Sequence, residues 1–138
     1  MSLAWREQLS VGNDVIDSDH KQLIEIINLV ERSLVVMNRS ELTIALGSLS
    51  QYSKAHFARE EKIARAAGYM QVPHLHQSHE ALLIKLEQVK QEIGEEWTAA
   101  AVEHFTVLLR DWLINHVIKE DLLMKPLLKK QSPAFNPL

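Results

Sequence analysis

Apolar residues recur along most of this chain at the three- and four-residue spacing of amphipathic helices, in four separate stretches. Residues that cap, start or end helices flank these stretches: Asp17 or Ser18, Ser40, Gly68, Pro73, Gly94 and Pro126. Each stretch suits a helix of roughly 20 residues, about 30 Å long, and the connectors between them are short. The pattern therefore predicts an all-α fold, an up-down-up-down four-helix bundle.

The predicted bundle occupies about residues 18–125 and is flanked by two segments without a helical pattern. Residues 1–17 are expected to form an N-terminal arm that Trp5 anchors by packing against the bundle. A C-terminal tail is expected over about residues 130–138. A chain of 138 residues suits one hydrophobic core, so we expect a single domain over residues 1–138.

Histidines interrupt the apolar stripes of all four predicted helices, and the second stripe also carries a carboxylate. The residues are His20 on the first helix, His56 and Glu60 on the second, His79 on the third and His116 on the fourth. An unpaired buried charge is costly, so a carboxylate on a core stripe needs a partner. Up-down topology brings the four histidines to one level of the bundle. Imidazoles and carboxylates that converge in this way predict a metal site inside the bundle.

Asp121 is a further candidate ligand, five residues after His116. Five residues correspond to about 140° around a regular α-helix, so the two side chains do not share a face. Asp121 joins the site only if it reaches sideways or if the helix widens locally. The sequence leaves both alternatives open.

Composition narrows the function classes. The chain has no cysteine, which excludes disulfides, zinc–thiolate sites and iron–sulfur clusters and fits a reducing compartment. A formal net charge of -3 gives no case for a nucleic-acid partner. No apolar run approaches the roughly 20 residues that cross a bilayer, and no secretory signal is visible. We therefore expect a cytoplasmic protein without a nucleic-acid or membrane partner.

In the order and spacing of these residues the chain resembles the bacteriohemerythrins, the bacterial relatives of the invertebrate hemerythrins. The matching positions are Trp5, residues 15–21, residues 56–61, Gly68, Tyr69, His79, Glu80, residues 112–116 and Asp121. The resemblance implies two non-haem iron ions with a bridging oxo or hydroxo group. It implies that one iron is bound by His20 and His56, the other by His79 and His116, and both by Glu60 and Asp121.

The third helix departs from the family pattern, which usually has a second histidine four residues before His79. Leu75 occupies that position in this chain. His76 lies about 60° from His79 around the helix axis and is the expected replacement ligand. His74 is an alternative if the first turn after Pro73 is irregular. The third alternative is that one iron lacks a protein ligand.

The resemblance implies reversible binding of dioxygen, for transport, storage or sensing, by a protein that is not an enzyme. Residues within a turn of the ligands are expected to form an apolar pocket: Leu23, Ile24, Ile63, Trp112 and Leu113. No acid–base group other than the ligands stands out near this pocket, which argues against an oxygenase. The alternatives are a di-iron oxidase, peroxidase or nitric-oxide-reactive enzyme, and an iron-binding sensory or storage module.

Overall fold

Four long helices dominate the computed structural model, which describes residues 2–93 and 97–138, with residue 116 described by its backbone alone. They are α1 (Asp14–Val35), α2 (Arg39–Ala66), α3 (Val72–Glu92) and α4 (Ala99–Asp111). Shorter helical segments are a 3₁₀ helix (Glu7–Leu9), a π-helix (Trp112–Ile118), α5 (Lys119–Asp121), a 3₁₀ helix (Leu122–Met124) and α6 (Lys125–Leu128). The described residues contain no strand, which confirms the all-α prediction, and none of their helices is long and apolar enough to cross a membrane.

Two helices begin earlier than the sequence predicted, because asparagine side chains cap them. α1 begins at Asp14, three to four residues early, and the Asn13 side chain accepts hydrogen bonds from two backbone N–H groups of its first turn. α2 is capped by Asn38 rather than by Ser40. An asparagine oxygen at the N-cap satisfies N–H groups that have no partner inside the helix.

Both terminal segments contact the bundle. Trp5 is half-buried against the hydrophobic core, as predicted for the N-terminal arm. In the C-terminal tail, the carbonyl oxygen of Pro133 accepts a hydrogen bond from the Asp14 N–H at 2.8 Å. The carbonyl of Phe135 accepts one from Asn13 Nδ2 at 2.9 Å. The tail therefore covers the N-terminal end of α1.

Polar residues form a layer between two apolar clusters of the core. The larger cluster includes Leu23, Leu49, Phe57, Leu82, Leu86, Trp112, Leu113 and Ile118. The smaller cluster contains Val11, Ile16, Ile63, Ala64, Val72, Leu75, Met124 and Leu128. The buried polar residues between them are His20, His56, Glu60, His79 and Asp121. Each of the four helical segments of the bundle thus runs from one apolar cluster to the other and crosses this polar layer.

Replacing Gly68 by Ala is expected to lower the free energy of unfolding by about 1–2 kcal/mol. Gly68 follows α2 with φ +84°, and the next residue, Tyr69, donates its N–H to the carbonyl of Ala64 at 2.9 Å. No atom lies within 4 Å of an added Cβ, so the loss comes from backbone strain alone. Chemical denaturation measures it. Gly47→Ala, inside α2 and equally free of contacts, is the control and should instead stabilise the protein.

Candidate metal centre

Four buried side chains meet within the polar layer. They are His20 from α1, His56 and Glu60 from α2, and Asp121 from α5, and one ligand atom of each lies within 4.8 Å of the others. His56 Nε2 is 2.8 Å from Glu60 Oε2, and His20 Nε2 is 2.8 Å from Asp121 Oδ2. None of the four is more than 1% exposed. Side chains that are 101 residues apart in the chain are therefore in direct contact.

His79 adds a third imidazole to this group. Its Nε2 lies 3.1 Å from Glu60 Oε1, whereas Glu60 Oε2 faces His56. The two oxygens of one carboxylate thus face imidazoles from two different helices. This is the placement that a carboxylate needs in order to bind two cations at once.

A local widening of the helix precedes Asp121. Residues Trp112–Ile118 form a π-helix, in which hydrogen bonds join residues five apart rather than four. Of the two alternatives that the sequence left open, the widened helix is the one observed. His116 lies within this π-helix, but its side chain falls outside the described residues. Its assignment as a ligand stays a prediction.

A carboxylate behind His56 orients the imidazole. Asp19 Oδ2 accepts a hydrogen bond from His56 Nδ1 at 2.9 Å, which leaves Nε2 facing Glu60. Arg59 donates to both oxygens of Asp19 at 2.9 Å, and Tyr52 donates to Oδ1 at 2.7 Å. Outer carboxylates of this kind set the tautomer and the direction of a metal-binding histidine.

The same contacts determine how Asp19 and Tyr52 titrate. Burial alone raises the pKa of the Asp19 carboxyl, but the hydrogen bonds from His56, Arg59 and Tyr52 hold this pKa well below its ordinary value. Burial and the hydrogen bond to Asp19 raise the pKa of Tyr52 to about 12. Asp19 therefore stays charged and Tyr52 stays neutral at neutral pH. Asp19 lies within residues 15–21, a stretch that carries the family resemblance, but the sequence predicts no role for it. Its partners lie 33 to 40 residues away in the chain, so no local pattern reveals them.

His79 has an outer carboxylate of its own. Glu61 Oε2 accepts a hydrogen bond from His79 Nδ1 at 2.9 Å, and the ring of Phe57 stacks on the imidazole at a centroid distance of 4.1 Å. Like Asp19, Glu61 lies in a stretch that carries the family resemblance and has no role that the sequence predicts. Glu61 directly follows Glu60 in the chain, but that position alone does not distinguish its carboxylate from a solvated charge.

The structure does not bring His76, the expected replacement ligand, into the centre. The His76 side chain is 55% exposed, and its two nitrogens lie 2.8 Å from Glu61 and 3.2 Å from Glu80. His74, the alternative, is also exposed, while Leu75 is buried in the smaller apolar cluster. One turn before His79, α3 thus directs an apolar side chain inward. Because Leu75 faces the core, the adjacent residues His74 and His76 lie on other faces of α3.

The donor atoms of the centre fit a cation. His56 Nε2 and Glu60 Oε2 lie 2.8 Å apart but make no hydrogen bond, and Asp121 Oδ1 is buried without a hydrogen-bond partner among the described residues. Native proteins pair nearly all such atoms, because each unpaired one costs about 1–3 kcal/mol. Imidazole nitrogens together with carboxylate oxygens suit a divalent transition metal such as iron. A bound cation would satisfy all of these atoms at once.

Without a cation, the centre must hold protons in its place. Burial and the negative charge of Glu60 raise the pKa of Asp121 well above its ordinary value. Glu60 is itself buried, yet the positive charge of His56 holds its pKa well below the ordinary value. Although burial opposes it, the negative charges of Glu60 and Asp19 and the hydrogen bond to Asp19 raise the pKa of His56 to about 9. Burial lowers the pKa of His20, which leaves that ring neutral.

Metal binding at pH 7 is therefore expected to release at least one proton per chain, from His56. The His56 pKa of about 9 lies above pH 7, so the metal must displace a proton, and affinity should rise as the pH rises towards 9. Calorimetric titration with Co²⁺ in two buffers of different ionisation enthalpy measures the protons released. His104→Gln, at an exposed position of α4, is the control and should release the same number. Release of no proton at pH 7 would contradict this account.

Comparison with known proteins gives concordant matches. The sequence model of the family described as "Hemerythrin HHE cation binding domain" matches residues 11–128. The bacteriohemerythrin of Methylococcus capsulatus is 31% identical over 115 residues, which are 81% of this chain and 85% of that protein. The bacteriohemerythrin of Pseudomonas paraeruginosa is 30% identical over 122 residues, 86% of this chain and 76% of that protein. A crystal structure of wild-type hemerythrin superposes with a TM-score of 0.78 at 26% identity, covering 91% of this chain and 97% of that one.

Proposed function

The chain belongs to the hemerythrin family, and from this premise we propose that it binds dioxygen reversibly at two iron ions held inside the bundle. One observation carries the proposal. Buried imidazole and carboxylate atoms from α1, α2 and α5 converge to within 4.8 Å, and several of them lack any hydrogen-bond partner among the described residues. A cation site buried this deeply suits a ligand small enough to reach it through a packed core.

We assign His20 and His56 to one iron, His79 and His116 to the other, and Glu60 and Asp121 to both. Glu60 supports this division, because its two oxygens face His56 and His79 separately. For the second iron, we propose that α3 supplies His79 and no further ligand. The other two histidines of α3 are exposed, and the position one turn earlier is apolar.

The surroundings of the centre favour binding without further chemistry. When bound, the two iron ions supply the electrons that hold dioxygen reversibly. The chain supplies an apolar enclosure, in which Leu23 and Leu113 are fully buried and Trp112 is 3% exposed. The indole N–H of Trp112 donates to the carbonyl of Leu82 at 3.0 Å, so it is not available as a proton donor. An enclosure of this kind excludes water, and none of these three lining residues is an acid or a base.

An optical spectrum combined with iron quantification tests the proposal. Anaerobically reduced protein is expected to contain two irons per chain and to be colourless. Air should add near-ultraviolet and visible absorption, and removal of oxygen should reverse it. Irreversible oxidation, or a single iron per chain, would contradict reversible dioxygen binding.

Leu75 favours a second candidate function. With one fewer histidine on α3, a second iron held by His79 and His116 would keep a further position open, as a peroxidase or a nitric-oxide-reactive enzyme requires. Turnover of peroxide or nitric oxide well above that of free iron would support this candidate.

Leu75→His is expected to suppress such turnover and to raise the affinity for the second iron, because the new imidazole fills the open position. Leu75 is buried in the smaller apolar cluster, so the same change should destabilise the metal-free protein. Stepwise titration with Co²⁺ gives the two affinities, and thermal melts with and without metal give the stabilities. Unchanged affinity for the second metal would show that this position lies outside the coordination sphere.

A further inference from the structure

One buried hydroxyl near the centre has no use in the proposed metal site. Ser53 Oγ is buried and has no hydrogen-bond partner among the described residues, and the residue is 0% exposed. Ser53 lies on α2 between Leu49 and His56, on the same helix face, within one turn of each. It is therefore a polar position at the boundary between the polar layer and the larger apolar cluster.

Two other hydroxyls within these helices show the usual pairing. Ser33 donates to the carbonyl of Leu29 at 2.9 Å, and Thr43 donates to the carbonyl of Arg39 at 3.0 Å. A carbonyl four residues earlier is the usual partner of a serine or threonine in a helix. Ser53, which is more deeply buried than either, makes no such bond. Its hydroxyl therefore has room to bond a group that the described residues do not provide.

Ser53 lies close to the half of the centre that His20 of α1 and His56 of α2 form. The rings of His20 and His56 are 4.9 Å apart at their centroids, and His56 is the next residue on the Ser53 face. Tyr52, the residue before Ser53, donates its hydroxyl to Asp19 behind His56. A small ligand at this half of the centre, on the side of the larger apolar cluster, would lie beside the Ser53 hydroxyl.

We propose that Ser53 Oγ–H donates a hydrogen bond to a small ligand bound at this half of the centre. The chemical class is a diatomic or triatomic ligand that carries negative charge when bound, either dioxygen or a linear anion such as azide. In an apolar enclosure a single hydroxyl donor stabilises that charge and slows ligand release. The inference rests on the proposed function for dioxygen as the natural ligand, whereas azide provides a separate probe.

The test compares three variants of the iron-loaded protein. Ser53→Ala removes the hydroxyl, Ser53→Thr retains one, and Ser33→Ala removes a buried hydroxyl that already has a partner. Optical titration of the oxidised protein with azide is expected to give a Kd about 5- to 15-fold higher for Ser53→Ala, with little change for Ser53→Thr or Ser33→Ala. The dioxygen dissociation rate should rise by a similar factor in Ser53→Ala alone.

Thermal melts of the metal-free protein provide an independent measurement. Ser53→Ala should melt no lower than the wild type, because its hydroxyl has no partner to lose, whereas Ser33→Ala should melt lower. Wild-type azide affinity in Ser53→Ala, or a melting temperature below that of Ser33→Ala, would overturn the inference. Failure of dioxygen binding with a persistent azide effect would refute the proposed function alone. A wild-type chain that binds no iron would overturn both.

Discussion

Glu60→Gln is expected to abolish loading of the iron pair. Glu60 is fully buried, and its two oxygens face His56 and His79 at 2.8 and 3.1 Å. An amide keeps the shape but offers one neutral oxygen, so it cannot join two cations or offset their charge. We expect iron to fall from two per chain to less than one.

Iron quantification after anaerobic reconstitution measures this loss, and circular dichroism verifies that the helices remain. Glu120→Gln is the matched control, because Glu120 is next to Asp121 in the chain but accepts a hydrogen bond from Ser78 at 2.9 Å. It should retain both irons. A Glu60→Gln protein with two irons per chain would show that Glu60 does not connect the two halves of the centre.

Asp19→Asn is expected to weaken iron binding by about 10- to 100-fold, although Asp19 is not a ligand in the proposed site. Its carboxylate accepts the Nδ1–H of His56 and two hydrogen bonds from Arg59. Without that charge, the imidazole is held less firmly in the tautomer that presents Nε2 to the metal. Competition with a chelator of known affinity measures the change, and Asp14→Asn, at an exposed position, is the control.

The same substitution should also lower the free energy of unfolding, by about 1–3 kcal/mol at pH 7. The Asp19 carboxyl has a pKa below its ordinary value in the folded chain, so its stabilisation is fully present above the pKa of the unfolded chain. The stabilisation is lost as the pH falls from about 4 through the folded-state pKa. The difference between wild type and Asp19→Asn should therefore shrink in acid. A difference that stays constant from pH 7 to pH 3 would exclude this electrostatic origin.

Local patterns account for the parts of the fold that the sequence predicted correctly. The helical periodicity of apolar residues reports which face each helix buries, and that face does not depend on the exact ends of the helix. The predicted helix starts were less accurate, because Asn13 and Asn38 compete with nearby Asp, Ser and Thr residues as N-caps. The choice among several possible caps depends on contacts such as that between Asn13 and Phe135, 122 residues apart.

The residues that meet in the centre were also identifiable from local pattern. His20, His56, Glu60 and His79 lie on apolar stripes, and topology alone brings those stripes together. The residues behind the ligands were not identifiable. Asp19 and Glu61 are polar residues beside ligands, and nothing local distinguishes them from solvated charges.

Sequence pattern thus determined the four helices, their buried faces and the histidines and carboxylate that enter the core, because helical periodicity is a local property. The tertiary structure decided how those groups are held. The π-helix before Asp121, the pairing of Asp19 with Arg59 and the outward direction of His76 depend on packing between helices. Such choices are made by small differences in free energy between neighbouring side chains, and only the assembled bundle brings those side chains into contact.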